Sequence, residues 1–131
     1  MAIRRGALLG LTATLLFGTA ASGGLKVHFP VKVDVGNRYA AGALASARGS
    51  LDGMQFIGCS VFSFAVGTPM VHCIARDATN AQASCTSSNP KLVDAAQGLY
   101  GDTLLQFFWD ETGACTQLMI TNSSEYWPKA P

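Results

Sequence analysis

Four cysteines, at positions 59, 73, 85 and 115, constrain this 131-residue chain more than any other feature. They stand 14, 12 and 30 positions apart. A zinc site wants ligand pairs at close spacing, such as C-x2-C, and a dithiol redox motif wants C-x-x-C; neither occurs here. The reading that remains is a pair of structural disulfides, for which four cysteines allow three connectivities. Local pattern favours one of them. Residues 54–64 and 70–76 are rich in β-branched and aromatic side chains, with Val66-Gly67-Thr68-Pro69 between them, which reads as a hairpin. Folding these strands back symmetrically about Val66 sets Cys59 opposite Cys73, Ile57 opposite Ala75 and Val61 opposite Val71, all on one face. Cross-strand neighbours lie about 4.5–5.5 Å apart, which suits a disulfide, whose Cα atoms want ~4.4–6.8 Å. Cys85–Cys115 is then left as the second bridge. Phe56, Phe62 and Ile74 fall on the other face, so the strand pair is expected to lie between two layers, partly buried on both sides.

The cysteines all lie beyond an apolar leader. Arg4 and Arg5 precede an apolar stretch over residues 7–17, and Thr19-Ala20-Ala21 follows with small side chains. Residues 1–21 therefore read as a secretory signal peptide, cleaved after Ala20 or Ala21. The apolar run is shorter than the ~20 residues of a spanning helix, and no cysteine follows it closely to carry a lipid. Residues 22–131 then form a single domain, long enough to bury a core without metal. Export to an oxidising compartment, either secreted or periplasmic, agrees with disulfide use. No stable membrane span is expected after cleavage.

Residues 25–35 alternate strictly, with Leu25, Val27, Phe29, Val31, Val33 and Val35 on one face. That is the pattern of a half-buried strand, and Pro30 with Lys26 and Lys32 marks it as a protected edge. Residues 37–48 are ambiguous: the alanines favour a helix that Asn37 could cap, but Gly42 and the small side chains fit an extended segment equally. Residues 49–53 read as a turn. Residues 77–88 read as a polar, turn-rich connection containing Cys85. Asn89 and Pro90 then suit the N-cap and first position of a helix to about Gln97, ended by Gly98. A second hairpin joins residues 102–110 to 114–121 through Glu111-Thr112-Gly113. In that register Trp109 stands opposite Cys115, with Leu105, Phe107 and Met119 on the same face.

Chemistry-bearing motifs are sparse. Removing Arg4 and Arg5 leaves seven basic residues against eight acidic ones, a net charge near −1. This disfavours nucleic acid and anionic membranes as partners. His72 falls opposite Ser60, the first ingredient of a nucleophilic site, but such a site also needs an orienting acid and an oxyanion hole, and no G-x-S-x-G sequence marks a nucleophile. His28 falls on the polar face of the first strand. Asp110 and Glu111 are explained by a turn, and no phosphate-cradling glycine motif is present. No cofactor and no metal are expected. Tyr126 and Trp127, with Tyr39 or Tyr100, form a candidate aromatic platform for a sugar or peptide, the competing role being to strap the C-terminal tail to the core. Asn122-Ser123-Ser124 matches the glycosylation acceptor pattern.

The order of short motifs carries a resemblance: Gly42-Ala43-Leu44 through Ala47-Arg48 and Ser50, then Ile57-Gly58-Cys59, Cys73-Ile74-Ala75-Arg76-Asp77, Ser84-Cys85 and Gly113-Ala114-Cys115-Thr116. Over residues 39–129 the chain resembles small exported four-cysteine bacterial proteins of uncharacterised function. The resemblance implies a secreted, disulfide-bonded domain and no catalytic residues. The expected fold is mainly β, a small antiparallel sheet or two-layer sandwich with one or two short helices and two disulfides, with α+β as the alternative. The expected role is a non-enzymatic binding or structural module for a protein or glycan. The alternatives are a secreted hydrolase inhibitor, using residues 66–69 or 111–113, and a small hydrolase using Ser60 and His72.

Overall fold

The computed structural model describes residues 23–126. The expected signal peptide and Trp127 lie outside the described residues. Seven strands and two short helices follow in order: β1 Lys32–Asp34, β2 Tyr39–Ala43, α1 Leu44–Arg48, β3 Phe56–Phe62, β4 Met70–Arg76, β5 Gln82–Ser87, α2 Pro90–Ala96, β6 Thr103–Trp109 and β7 Cys115–Asn122. They make two antiparallel sheets, β1-β2-β6-β7 and β3-β4-β5. The three-stranded sheet is thus inserted between two neighbouring strands of the other, and each crossover is a helix. The mainly β, two-sheet architecture is the one the sequence leads one to expect.

The main core fills the space between the sheets. Ile57, Val71, Cys73, Ala75 and Cys85 come from one sheet, and Ala40, Leu105, Phe107 and Cys115 from the other. Leu105 and Phe107 are fully buried, each worth roughly 1.5–3 kcal/mol relative to an exposed side chain. Val93 and Ala96 of α2 and Ala47 of α1 join the same cluster. A second, smaller cluster lies on the outer face of the four-stranded sheet. There Tyr126 packs with Ala43, Leu104 and Phe29, and Val27 bridges to Tyr126 as a parallel pair.

The first hairpin forms in the expected register, with Cys59↔Cys73, Ile57↔Ala75, Val61↔Val71 and Ser60↔His72 as partners. The helix at residue 90 starts as expected too: Asn89 Oδ1 accepts from Lys91 N at 2.9 Å and Pro90 occupies the first turn.

Four expectations are corrected and one open reading, that of residues 37–48, is decided. The strand expected over residues 25–35 shrinks to Lys32–Asp34, although it does lie at the sheet edge. Upstream of it the backbone is satisfied outside any ladder: Phe29 N donates to Ser46 Oγ and Val31 N to Gln55 Oε1. Residues 37–48 are strand and then helix. Arg38 turns the chain at φ 51°, Asn37 donates to Asp34 instead of capping a helix, and α1 starts at Ala43 without a side-chain cap. Ala40, Ala41 and Ala43 are fully buried; packing space, which only small side chains fit, overrides their helix preference. Residues 82–87, expected as part of a turn-rich connection, form β5. Its small residues Ala83 and Cys85 face the core while Gln82, Ser84 and Thr86 are exposed, a period-two pattern too weakly hydrophobic to stand out. Met119 does not share the inner face of Leu105 and Phe107. Trp109 pairs with Cys115 but Phe108 pairs with Gln117, so Thr116 is an extra, bulged residue. The bulge shifts every later residue by one place: Leu118 and Ile120 pack on the core and Met119 is 40% exposed. Finally, the outer face of β3 and β4 is covered less than expected: among the described residues Phe56 and Ile74 are half-buried, but Ser60 and Phe62 are exposed.

One carboxylate links the two sheets. Asp77 directly follows β4, and its Oδ1 accepts from Thr79 N, Thr79 Oγ1 and Ala81 N at 2.9, 2.7 and 3.1 Å. Its Oδ2 accepts from Val33 N of β1 at 3.3 Å. Burial pushes this carboxyl up, but the bonds from Thr79, Ala81 and Val33 prevail and hold it below the usual value.

Candidate functional site

The cysteines pair as Cys59–Cys73 and Cys85–Cys115, and no described cysteine is free. The first bridge braces the β3–β4 hairpin from its inner face. The second joins β5 to β7 and so ties one sheet to the other. The inner edges meet again just above it, where Thr86 N donates to Gly113 O at 3.2 Å.

What the first bridge braces is a partly apolar surface whose one formal charge, Arg76, stands at the end away from the tip. From Gln55 to Ala75 the chain contains no Asp, Glu, Lys or Arg. The outer face of the hairpin presents Phe56, Gly58, Ser60 and Phe62 on β3 against Arg76, Ile74, His72 and Met70 on β4. Its tip is more open still: Phe62 is 45% exposed, Phe64 55% and Val66 90%. Gly67 turns the tip at φ 114°, a conformation that suits glycine. At the opposite end the Arg76 guanidinium lies over the Phe56 ring, 5.0 Å from its centroid. The Arg76 Nε is buried without a hydrogen-bond partner, so the aromatic ring is the contact that offsets its loss of water. The face is shallow. A depression of about 180 Å³ beside Ile74, lined also by Gln82, Ala83 and Ser84, is below the ~300 Å³ of an ordinary small-molecule pocket.

Ser60 and His72 do stand opposite each other on this face, but no hydrogen bond joins their side chains among the described residues. The cross-strand neighbour of His72 on its other side is Thr86, and Met70 and Ile74 flank it along β4. No carboxylate occupies any of these positions to orient the imidazole, as a nucleophilic triad requires. Asp110 is used in the 110–114 turn, where Oδ1 accepts from Thr112 N, Thr112 Oγ1 and Ala114 N. The bonds from Thr112, ahead of all other effects, hold its carboxyl below the usual value. Glu111 pairs at 3.6 Å with Arg38 on the surface.

Tyr126 is 7% exposed, and its ring packs against the sheet with Phe29, Ala43 and Leu104. It anchors the tail instead of offering a ring to solvent; burial, more than the neighbouring Glu125, raises its phenol. Tyr39 packs at a tilt against Phe108 with centroids 4.9 Å apart, and Tyr100 is 68% exposed, so among the described residues Tyr39, Tyr100 and Tyr126 form no shared platform, Trp127 lying outside them. Tyr100 does border a groove of about 380 Å³ with Asp102, Asn122, Ser123 and Ser124. Within it Asn122 is structurally engaged: Oδ1 accepts from Thr103 Oγ1 and Nδ2 donates to Gly98 O at 3.2 Å. Sequence reasoning offered residues 66–69 of the hairpin tip as an inhibitor loop but missed the exposed Phe62 and Phe64 beside it. The alternation of residues 54–64 made Phe62 and Phe64 look like strand interior.

Neither a protein-family model, nor a curated protein, nor a solved structure matches this chain. Among the described residues no helix is long and apolar enough to cross a membrane.

Proposed function

We propose that the chain is an exported, disulfide-stapled binding module that engages a protein partner through the tip and outer face of its β3–β4 hairpin and performs no chemistry of its own. The observation that carries this reading is the exposure of Phe62, Phe64 and Val66 within five residues, in a stretch from Gln55 to Ala75 without Asp, Glu, Lys or Arg. Exposed apolar surface of this kind costs free energy in water and is recovered when a partner covers it. The bridge at Cys59–Cys73 holds the hairpin in shape beforehand, which lowers the ordering cost of binding. Export is supported by the leader-like residues 1–21 and by two disulfides, which persist in oxidising compartments.

The test places a photo-crosslinking side chain at the exposed Ser63 of the exported protein in its native host. The expected result is a discrete protein adduct that Phe64→Ser with Val66→Ser abolishes while both disulfides and the thermal midpoint are retained. An adduct untouched by that double substitution, or none at all, refutes the hairpin as the binding surface. A glycan partner would give sugar binding that survives the double substitution. Recovery of the chain solely from the cytoplasm, with residues 1–21 still attached by intact mass, would refute export.

A further inference from the structure

The two disulfides are close neighbours. The Sγ atoms of Cys73, Cys85 and Cys115 all lie within 4.8 Å of one another, and Cys59 Sγ is bonded to Cys73 Sγ. The register shows why. Cys73 sits on the central strand of the β3-β4-β5 sheet, with Cys59 its direct partner on one side and Cys85 its direct partner on the other. Three cysteines therefore form a row across three strands on the core-facing side, and Cys115 meets the row from the second sheet. Cys73 has two cross-strand cysteines to choose between: Cys59, whose Cα lies 4.0 Å from its own, and Cys85, its register partner on the other side, and paired strands stand at a separation of ~4.5–5.5 Å that a disulfide accommodates.

The four differ in access. Cys73, Cys85 and Cys115 are 0%, 2% and 6% exposed. Cys59 is half-buried and lies on the edge strand β3. A thiol arriving from solvent reaches Cys59 first.

We infer that the two bridges work as one thiol–disulfide exchange unit, with Cys59 as the modification site for an external thiol and Cys73 as the pivot. The thiolate of a low-molecular-weight thiol attacks Cys59 Sγ. A mixed disulfide forms on Cys59, the Cys59–Cys73 bond breaks, and its electron pair leaves on Cys73 Sγ as thiolate. That thiolate attacks Cys85 Sγ: the Cys73–Cys85 bond forms, the Cys85–Cys115 bond breaks, and the pair leaves on Cys115 Sγ, which takes up the proton. A second thiol then releases Cys59 as a free thiol and leaves as the oxidised, disulfide form of the reagent. In sum two thiols are oxidised to one disulfide while the protein gains two electrons and two protons, held on Cys59 and Cys115. The remaining Cys73–Cys85 bond lies wholly within the three-stranded sheet. Exchange at the surface thus removes the covalent tie between the sheets.

The folded, fully oxidised protein is incubated with reduced glutathione, quenched in acid, alkylated and mapped by peptide mass. Expected are a glutathione adduct on Cys59, a Cys73–Cys85 linked peptide and alkylated Cys115. A product that keeps Cys85–Cys115 intact, with only Cys59 and Cys73 modified, overturns the inference; so does a protein that reacts solely after denaturation. Cys59→Ser gives an independent reading. Here the free thiol is expected to divide between Cys73 and Cys115, and alkylation confined to Cys73 in the folded variant overturns the pivot.

Discussion

Replacing Asp77 with Asn removes one acceptor and one charge while leaving the rest of the side chain in place. With the amide oxygen at the Oδ1 position, the three donors from Thr79 and Ala81 keep an acceptor. The amide nitrogen then takes the place of Oδ2 and faces the Val33 N–H, donor against donor. A hydrogen bond to a charged group contributes roughly 1.5–3 kcal/mol. The Val33 contact, at 3.3 Å, belongs at the low end of that range, and the three turn bonds weaken as they become neutral. Asp77→Asn is therefore expected to cost about 2 kcal/mol. Asp77→Ala, which strips all four bonds, is expected to cost about 3–4 kcal/mol, because the Thr79 donors can turn to water. The pH dependence supplies the control. The folded-state carboxyl titrates below its unfolded value, so its contribution is complete above the unfolded pKa of ~3.9 and is lost as pH falls through the folded one. Once protonated, Asp77 resembles Asn, and the gap between wild type and Asp77→Asn should close in acid. Urea unfolding with both disulfides intact, followed by Trp109 fluorescence at neutral pH and near pH ~2, measures the gap. Amide exchange at Val33 reports the lost bond directly. An equal gap at both pH values, or unchanged Val33 exchange, would refute this account of how the sheets are tied.

Gly42→Ala sets a methyl 2.9 Å from Val31 Cγ2 and 3.0 Å from Val31 Cα. The backbone contact cannot swing away, so the usual gain from Gly→Ala is reversed into a loss of about 1–3 kcal/mol, measurable as a lower urea midpoint; a raised midpoint would show that the segment at Val31 is free to move aside. Asn89→Ala removes the α2 cap and is expected to cost about 1 kcal/mol, with faster amide exchange at Lys91 as its local signature and unchanged exchange as the contrary result. Asp52, held down to about 2 by Gln55 first and then by the Met54 and Gln55 amides, should keep the 52–55 turn formed well below the ordinary carboxylate range. The Met54 and Gln55 amide shifts should titrate with a midpoint near that value as pH falls, and a midpoint at the ordinary 3.8 would mean that the turn is open in solution.

Local chemistry made several elements legible from the sequence. The first hairpin could be paired residue by residue because its alternation and its loop agree on one register. The helix at Pro90 announced itself through Asn89, whose side chain acts within two residues of its own position. The 111–113 loop was readable for a similar reason, since Asp110 caps it and Gly113 takes φ 82°. The register of the strand beyond that loop was not. A single bulged residue, Thr116, reverses the inward and outward places of Leu118 and Met119, and nothing in the hydrophobic pattern marks it, because Leu118, Met119 and Ile120 are all apolar. Strand β5 was hidden by its small and polar residues, which need a partner strand before they need a hydrophobic face. As for the candidate surface, the sequence displays Phe62, Phe64 and Val66, but exposure depends on what lies across from them.

The amino-acid sequence by itself determined the short-range features: the β-rich character, the hairpin turns, the α2 cap and the opposition of Cys59 to Cys73. Each follows from interactions among residues close in the chain or symmetric about one turn. The tertiary structure alone decided which sheet each strand joins, that Cys73 stands between Cys59 and Cys85, that Tyr126 is covered and that the hairpin tip is not. Those outcomes depend on contacts between residues tens of positions apart. They are set by which apolar surfaces fit together once water has been excluded, a property of the assembled layers that no local run of residues contains.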